Sequence, residues 1–248
     1  MLPFLLIPLA LVAIVAAGKH AAPASGGGGD GPDLPGPSSA EGLEFVRQLA
    51  IMTGAPKPWQ DFFVLIAQRE SKGVPNVGRG VKVGAPEWID LYASTGESSA
   101  ATTAYEAHLD EYAQCWPKPG YTFGSGGLFA QLPGYGLQAF AGSPLICLHP
   151  WVVFDPLISM IMAVDFARRL THWPSWQGTV LSLRVGWGNP SKMDDAAYLA
   201  ERRKKYRDDA KKAGLDPAFV DSKLPPWTPL SGPVLFDALG GDEGWLPE

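Results

Sequence analysis

Trp59-Gln60-Asp61-Phe62-Phe63-Val64-Leu65-Ile66-Ala67-Gln68-Arg69-Glu70-Ser71 decides how this chain is read. Trp59, Phe62, Phe63 and Ile66 fall at i, i+3, i+4 and i+7, the spacing of one helical face. Glu70 follows Ile66 by one more helical turn, so it continues the apolar stripe instead of the polar side. A carboxylate set against apolar side chains at a helix end is disfavoured in its charged form. That is the condition a general acid needs to work near neutral pH. The plainer alternative is a helix-end glutamate that bends to solvent or pairs with an arginine such as Arg69.

Upstream, residues 41–53 predict a short helix with Leu43, Val46, Leu49 and Ala50 on one face. Gly54 is its expected C-cap, with Pro56 just beyond. The folded domain is expected to begin near Ser39. Residues 19–40 (KHAAPASGGGGDGPDLPGPSSA) have the composition of a flexible tether, in which glycine supplies freedom and proline blocks regular structure. Before them, residues 1–18 carry no charged side chain and are dominated by Leu, Ile, Val and Ala. The run is near the lower length limit for a membrane span, and Pro3 and Pro8 would disturb a helix. As an export signal it lacks a basic n-region, although Val15-Ala16-Ala17 and Ala22-Pro23-Ala24 offer small-residue cleavage sites. Anchor, signal and buried core helix stay open, and the first two place the working part at a membrane or outside the cytoplasm.

Downstream, residues 73–125 read as a long irregular insertion with at least one helix, marked by Ala101, Ala104, Tyr105, His108 and Tyr112. His108 is expected to pack in the core. Trp88, Tyr92, Tyr105, Tyr112, Trp116 and Tyr121 suit either a subdomain core or the apolar faces of sugars. Gly124 to Pro133 (GSGGLFAQLP) is glycine-rich enough for positive φ angles and close approach of a ligand to the backbone. Phe129 and Leu132 within it suggest a loop packed down beside a cleft. Asp155-Pro156 is a helix start with Asp as N-cap and Pro at the first helical position. The apolar run LISMIMAVDFARRL after it predicts a central helix covered on most sides. Further helices are expected over 177–185, ending near Gly186-Trp187-Gly188, and over 194–213, with Gly214 as C-cap. Arg202, Arg203, Lys204, Lys205 and Arg207 form a basic cluster, read first as a solvated face and second as a contact for anionic polymer, lipid or DNA. Residues 215–248, with Pro225, Pro226, Pro229, Pro233 and Pro247, read as an extended tail that packs on the domain or on a partner.

The totals exclude several classes. The 248 residues suit one domain with appendages, and a net charge of −5 gives no general reason to expect nucleic-acid binding. No P-loop, zinc-ligand spacing or dinucleotide fingerprint occurs. Cys115 and Cys147 either remain buried thiols or pair in an oxidising compartment, where closing a loop of about thirty residues contributes roughly 3 kcal/mol in the chain-entropy model. A cysteine nucleophile with His149 or His172 is a third possibility.

Three pieces, in this order, resemble the soluble lytic transglycosylase branch of the lysozyme superfamily. Glu70-Ser71 at the end of an apolar helix looks like that family's catalytic Glu-Ser pair. Gly127-Leu128-Phe129-Ala130-Gln131-Leu132-Pro133 is similar to its Gly-Leu-Met-Gln-x-x-Pro loop, which lines the glycan groove. Asp155-Pro156 with the apolar helix ending in Arg169-Leu170 looks like the helix after that loop, and Leu183-Arg184-Val185-Gly186-Trp187 stands where the family has Ala-Tyr-Asn-Ala-Gly. The chain departs from the family at Ala130, where the usual Gln is displaced to Gln131. It departs again at the missing Tyr, for which Arg184 or Trp187 is the candidate substitute, and in the length of the insertion. Divergence of this kind resembles a phage-encoded, virion-associated member.

The resemblance implies a mainly α, lysozyme-like domain over residues 41–214. It implies cleavage between N-acetylmuramic acid and N-acetylglucosamine by the single acid Glu70, with Ser71, Gly127, Leu128, Phe129, Gln131, Arg184 and Trp187 toward the substrate. The products would be 1,6-anhydro sugars, and neither metal nor organic cofactor is needed. Partners would be peptidoglycan glycan strands, a membrane through residues 1–18, and other virion or envelope proteins. Most glycosidases use two carboxylates, so a hydrolytic muramidase is the near rival, with Glu87, Asp90, Glu97, Glu106, Asp110 or Glu111 activating water. A non-catalytic, membrane-anchored structural protein on the same fold is the rival from another class.

Overall fold

The computed structural model describes residues 39–74, 126–131, 138–147 and 155–241. The hydrophobic segment 1–18, the tether up to residue 38, the insertion from residue 75 onward with His108 and Cys115, Leu132, Pro133 and His149 lie outside the described residues. So does the pairing of Cys115 with Cys147. Ser39 and Ala40, read as the end of the tether, open the first helix. The described part is predominantly helical, and its only extended pairings are two isolated bridges, Gly126 with Gln131 and Thr179 with Lys223. Its α-helices are α1 (Ser39–Met52), α2 (Lys57–Glu70), α3 (Pro156–Thr171), α4 (Val180–Gly188), α5 (Ala196–Lys212) and α6 (Gly232–Ala238). None of these is long and apolar enough to cross a membrane.

Local chemistry accounts for the boundaries. α1 buries Leu43, Val46, Leu49 and Ala50. It ends in a Schellman motif, with Gly54 at φ +75, its N–H on the Ile51 carbonyl at 2.9 Å and the Ala55 N–H on that of Ala50 at 3.2 Å. α2 buries the expected Trp59, Phe62, Phe63 and Ile66, and also Val64, Leu65 and Ala67. It is therefore covered more widely than a single stripe, because α5 and the segment after it close over the side left open by α1. Gly42 and Gly73 let the start of α1 cross the chain just beyond α2. A Cβ on Gly42 would stand 2.5 Å from the Gly73 carbonyl oxygen, well inside van der Waals contact.

α3 begins as expected, Asp155 accepting from the N–H groups of Leu157 and Ile158 at 2.8 and 2.9 Å, and is buried nearly all round. α4 starts three residues later than its sequence suggested. Gly178 lies at φ +72, and Thr179 caps the helix by accepting from Ser182 N–H at 3.2 Å. The helix runs through Gly186, where a Cβ would meet Met193 Sδ at 2.6 Å. α5 is capped by Asp195 and closed by Gly214 at φ +71.

Residues 215–241 pack on the domain at length. Val220, Leu224, Leu235 and Phe236 are buried. Trp59 Nε1 donates to the Pro225 carbonyl at 2.9 Å, and the Trp227 ring lies 5.2 Å from that of Trp59 and 6.2 Å from that of Phe63. Far from a plain extended run, the segment includes α6, whose Phe236 meets Phe140 edge-on at 6.0 Å.

Candidate active site

Glu70 is the last residue of α2, and the turn after it is tightly built. The N–H groups of Ser71 and Lys72 both reach the Ala67 carbonyl, at 2.9 and 2.8 Å. Lys72 then takes φ +57 and Gly73 φ +81, reversing the chain. Ser71 is buried, and its hydroxyl donates to the Leu128 carbonyl at 2.7 Å while accepting from the Gly73 N–H at 3.1 Å. The helix end is thereby tied to the glycine-rich loop, 57 residues on.

That loop is a closed turn. Gly126 and Gln131 exchange both backbone hydrogen bonds at 3.0 Å, and Gly127 and Ala130 lie at φ +76 and +48. Ala130 holds a left-handed conformation that costs a residue with a Cβ about 1–2 kcal/mol. Strain of this sort persists where the surroundings enforce it, often at functional sites. Leu128 and Phe129 are fully buried. Phe129 packs against Phe63 with centroids 6.0 Å apart. Their side chains thus hold the loop down on α2, and their route to a ligand is through the backbone. The Gln131 side chain is 2% exposed, and neither its amide oxygen nor its nitrogen finds a hydrogen-bond partner among the described residues. Burying an amide without a partner costs free energy.

α4 brings the Leu183–Trp187 segment to the same place. Arg184 Nη2 donates to Glu70 Oε1 at 2.7 Å across 114 residues of sequence, with the arginine side chain 5% and the glutamate 12% exposed. The guanidinium also lies over the Tyr206 ring, 4.9 Å from its centroid, and its Nε has no partner among the described residues. Trp187, half-buried, points Nε1 at the Phe129 carbonyl from 3.4 Å. It packs edge-on against Phe166 at 5.0 Å and Phe62 at 6.0 Å.

One sequence expectation changes as a result. Glu70 does sit on the apolar stripe, and it is ion-paired at 2.7 Å. The partner is Arg184, while Arg69 is exposed. Tyr206 is a site neighbour that the sequence reading missed. It lies inside the basic run of α5, and the apolar spacing of Leu199 and Tyr206 with Ala210 was the available signal. Burial pushes its phenol above the ordinary value; Arg184 pulls it back, and Glu70 adds to the rise. His172, raised as a partner for a cysteine, caps α3 with Nδ1 2.7 Å from the Arg168 carbonyl and is exposed.

A separate cavity of about 370 Å³ is lined by Asp61, Leu215, Asp216, Ala218, Phe219 and Ser222. Asp61 lies about 14 Å along α2 from Glu70 at 1.5 Å per residue, and it is bound to Arg47 and Lys57. Among the described residues no three of His, Cys, Asp and Glu gather as metal ligands would. Comparison of the chain with protein-family models, characterised proteins and solved structures finds no match.

Proposed function

We propose that this chain is a lytic transglycosylase that cleaves peptidoglycan glycan strands, with Glu70 as its catalytic acid. The observation that carries the reading is the convergence of Glu70, the loop 126–131 and Arg184 on one point. Ser71 binds the loop to the helix end, and Arg184 reaches Glu70 across 114 residues. A resemblance spread over separated sequence pieces had no need to close in space.

The chemistry follows from one carboxyl group. Protonated Glu70 donates to the glycosidic oxygen as the bond from C1 of the muramyl sugar to that oxygen breaks. Arg184 stabilises the carboxylate so formed, because its guanidinium already stands at Oε1. The carboxylate then takes the proton of the sugar's own 6-hydroxyl as that oxygen bonds C1. The anhydro ring closes, and Glu70 regains its proton. Tethering of the 6-hydroxyl to the reacting sugar supplies the proximity that a free water lacks. Residues 1–18 hold the enzyme at a membrane.

The Glu70–Arg184 pair itself favours a second reading, a non-catalytic protein on the same scaffold in which the pair only ties α2 to α4. Digestion of purified peptidoglycan by the full chain, wild type beside Glu70→Gln, separates the two when product masses are read. Anhydro-muropeptides from wild type alone are expected. Reducing ends instead would mean a hydrolytic muramidase, and equal cleavage by folded Glu70→Gln would remove Glu70 from the mechanism. No product from either folded protein would leave the structural role.

A further inference from the structure

α4 is an apolar helix with a single charged side chain. Val180, Leu181, Leu183 and Val185 are buried around Arg184, which is itself 5% exposed. A guanidinium on a long, flexible stem gives up rotamer freedom to hold one geometry. The hydrogen bond from Nη2 to Glu70 Oε1, at 2.7 Å, fixes one distance, and Nε has no partner among the described residues. One bond does not set the plane of the group. α5 supplies a face for it. Along that helix Arg203 and Arg207 share the Asp221 carboxylate, each with Nε at 2.9 Å, while Leu199, Tyr206 and Ala210 are buried. The Tyr206 ring lies under the Arg184 guanidinium, 4.9 Å from Cζ to the centroid, and planar guanidinium groups stack on aromatic faces. α5 also packs against α2, the helix that ends in Glu70. The ring therefore comes from a third element, beside the two that the ion pair joins.

The pull of Glu70 on Arg184 depends on the charge of the carboxylate, and a general acid is protonated for part of each cycle. In that state the pair becomes a cation facing a neutral acceptor, and the hydrogen bond between them weakens. The attraction of an aromatic face for a cation does not depend on that proton. A guanidinium held by the ring stays where the carboxylate next needs it, so nothing has to reorganise as the charge develops.

We propose that Tyr206 is a positioning residue, whose ring is the platform that keeps Arg184 on Glu70 through both charge states of the acid. The platform rests on the transglycosylase reading for the step that it serves. Its contact with Arg184 is through the face of the ring, so phenylalanine should serve in its place and an aliphatic side chain should not.

The test compares full-length wild type with Tyr206→Phe and Tyr206→Leu, and uses Tyr206→Met should the leucine variant not fold. Release of anhydro-muropeptides from solubilised glycan strands gives the first readout. Tyr206→Leu is expected to lower kcat by roughly threefold to tenfold, the range of a cation–π contact. KM should change little, because the ring acts through Arg184 on the acid. Tyr206→Phe should restore the wild-type rate. The second readout needs no activity: the coupling between Glu70→Gln and Arg184→Met in urea unfolding, measured with tyrosine, leucine or phenylalanine at position 206. It should shrink with leucine and persist with phenylalanine. Coupling unchanged by leucine, or lost equally with phenylalanine, overturns the platform. So does a loss of rate that phenylalanine fails to restore. Coupling that shrinks with leucine alone, in a protein whose wild type releases no glycan product, keeps the platform and overturns the transglycosylase reading. No product together with unchanged coupling overturns both.

Discussion

Replacing Arg184 by methionine leaves the Glu70 carboxylate where it is, with 12% of its side chain exposed and its 2.7 Å partner gone. Breaking a fully buried pair from one side costs about 3–5 kcal/mol; the partial exposure of Glu70 reduces this to about 2–3 kcal/mol. At roughly 2–4 °C per kcal/mol for a chain of this size, the melting temperature should fall by roughly 4–12 °C. Glu70→Gln is milder, about 1–2 kcal/mol, because the amide oxygen still accepts from Arg184 and only the charge assistance is lost. The two changes should not add. With both partners neutral no buried charge is stranded, so the double variant should be more stable than the sum of the single losses allows, by about 1–2 kcal/mol. Urea unfolding of the four proteins, followed by far-ultraviolet circular dichroism, measures all the terms. Additivity within about 0.5 kcal/mol would falsify the pairing and, with it, the role given to Arg184 in holding the acid.

Other perturbations test the frame around the site. Gly42→Ala places a Cβ 2.5 Å from the Gly73 carbonyl oxygen, and backbone cannot swing aside as a side chain does. The substitution should cost about 1–3 kcal/mol of overpacking despite the helix propensity of alanine, and thermal melts would show it; an unchanged midpoint would mean that α1 and the Glu70 turn do not cross so closely. Tyr206, whose phenol is raised from 10.0 chiefly by burial, should favour the folded state fully below pH 10. That contribution should fade as pH climbs through the raised value, and Tyr206→Phe should flatten the decline in unfolding free energy above pH 10. A chain ending at Gly214 loses Val220, Leu224, Leu235 and Phe236 from the core. It should lack the dispersed amide spectrum of a folded protein, whereas a well-dispersed spectrum would make residues 215–241 an accessory.

Much of the frame was legible because its causes are local. The α2 stripe, the Asp155 cap and the glycine stops at Gly54 and Gly214 each depend on residues within one or two turns. The start of α4 was placed too early: Thr179 is a favoured N-cap residue, and the left-handed turn at Gly178 keeps Gln177 and Gly178 out of the helix. Arg184 could be placed near the site by resemblance, but its partner could not. An arginine on a mostly apolar helix announces burial, and only the packing of α4 against the end of α2 says which carboxylate it meets. The basic run was read as one face because its residues are consecutive. In a helix such residues point in different directions, and Asp221, brought by the turn after α5, selects Arg203 and Arg207 from it. The role of residues 215–241 was obscured by proline, which rules out long helix yet says nothing about how much apolar surface a segment buries.

The hydrogen bond from Ser71 to Leu128 has a consequence for how this protein can change. It clamps the chain where residues 75–125 depart and where they return, so both ends of that span are anchored on the same small patch of scaffold. Lengthening a span closed in this way is cheap, since doubling it adds only about 0.6 kcal/mol of closure entropy. The position therefore behaves as a cassette site, where one insert can be exchanged for another of different length or specificity without disturbing the carboxylate beside it. Grafting at these two points, with Ser71 and the Gly126–Gln131 turn retained, would measure how much insert length the scaffold accepts.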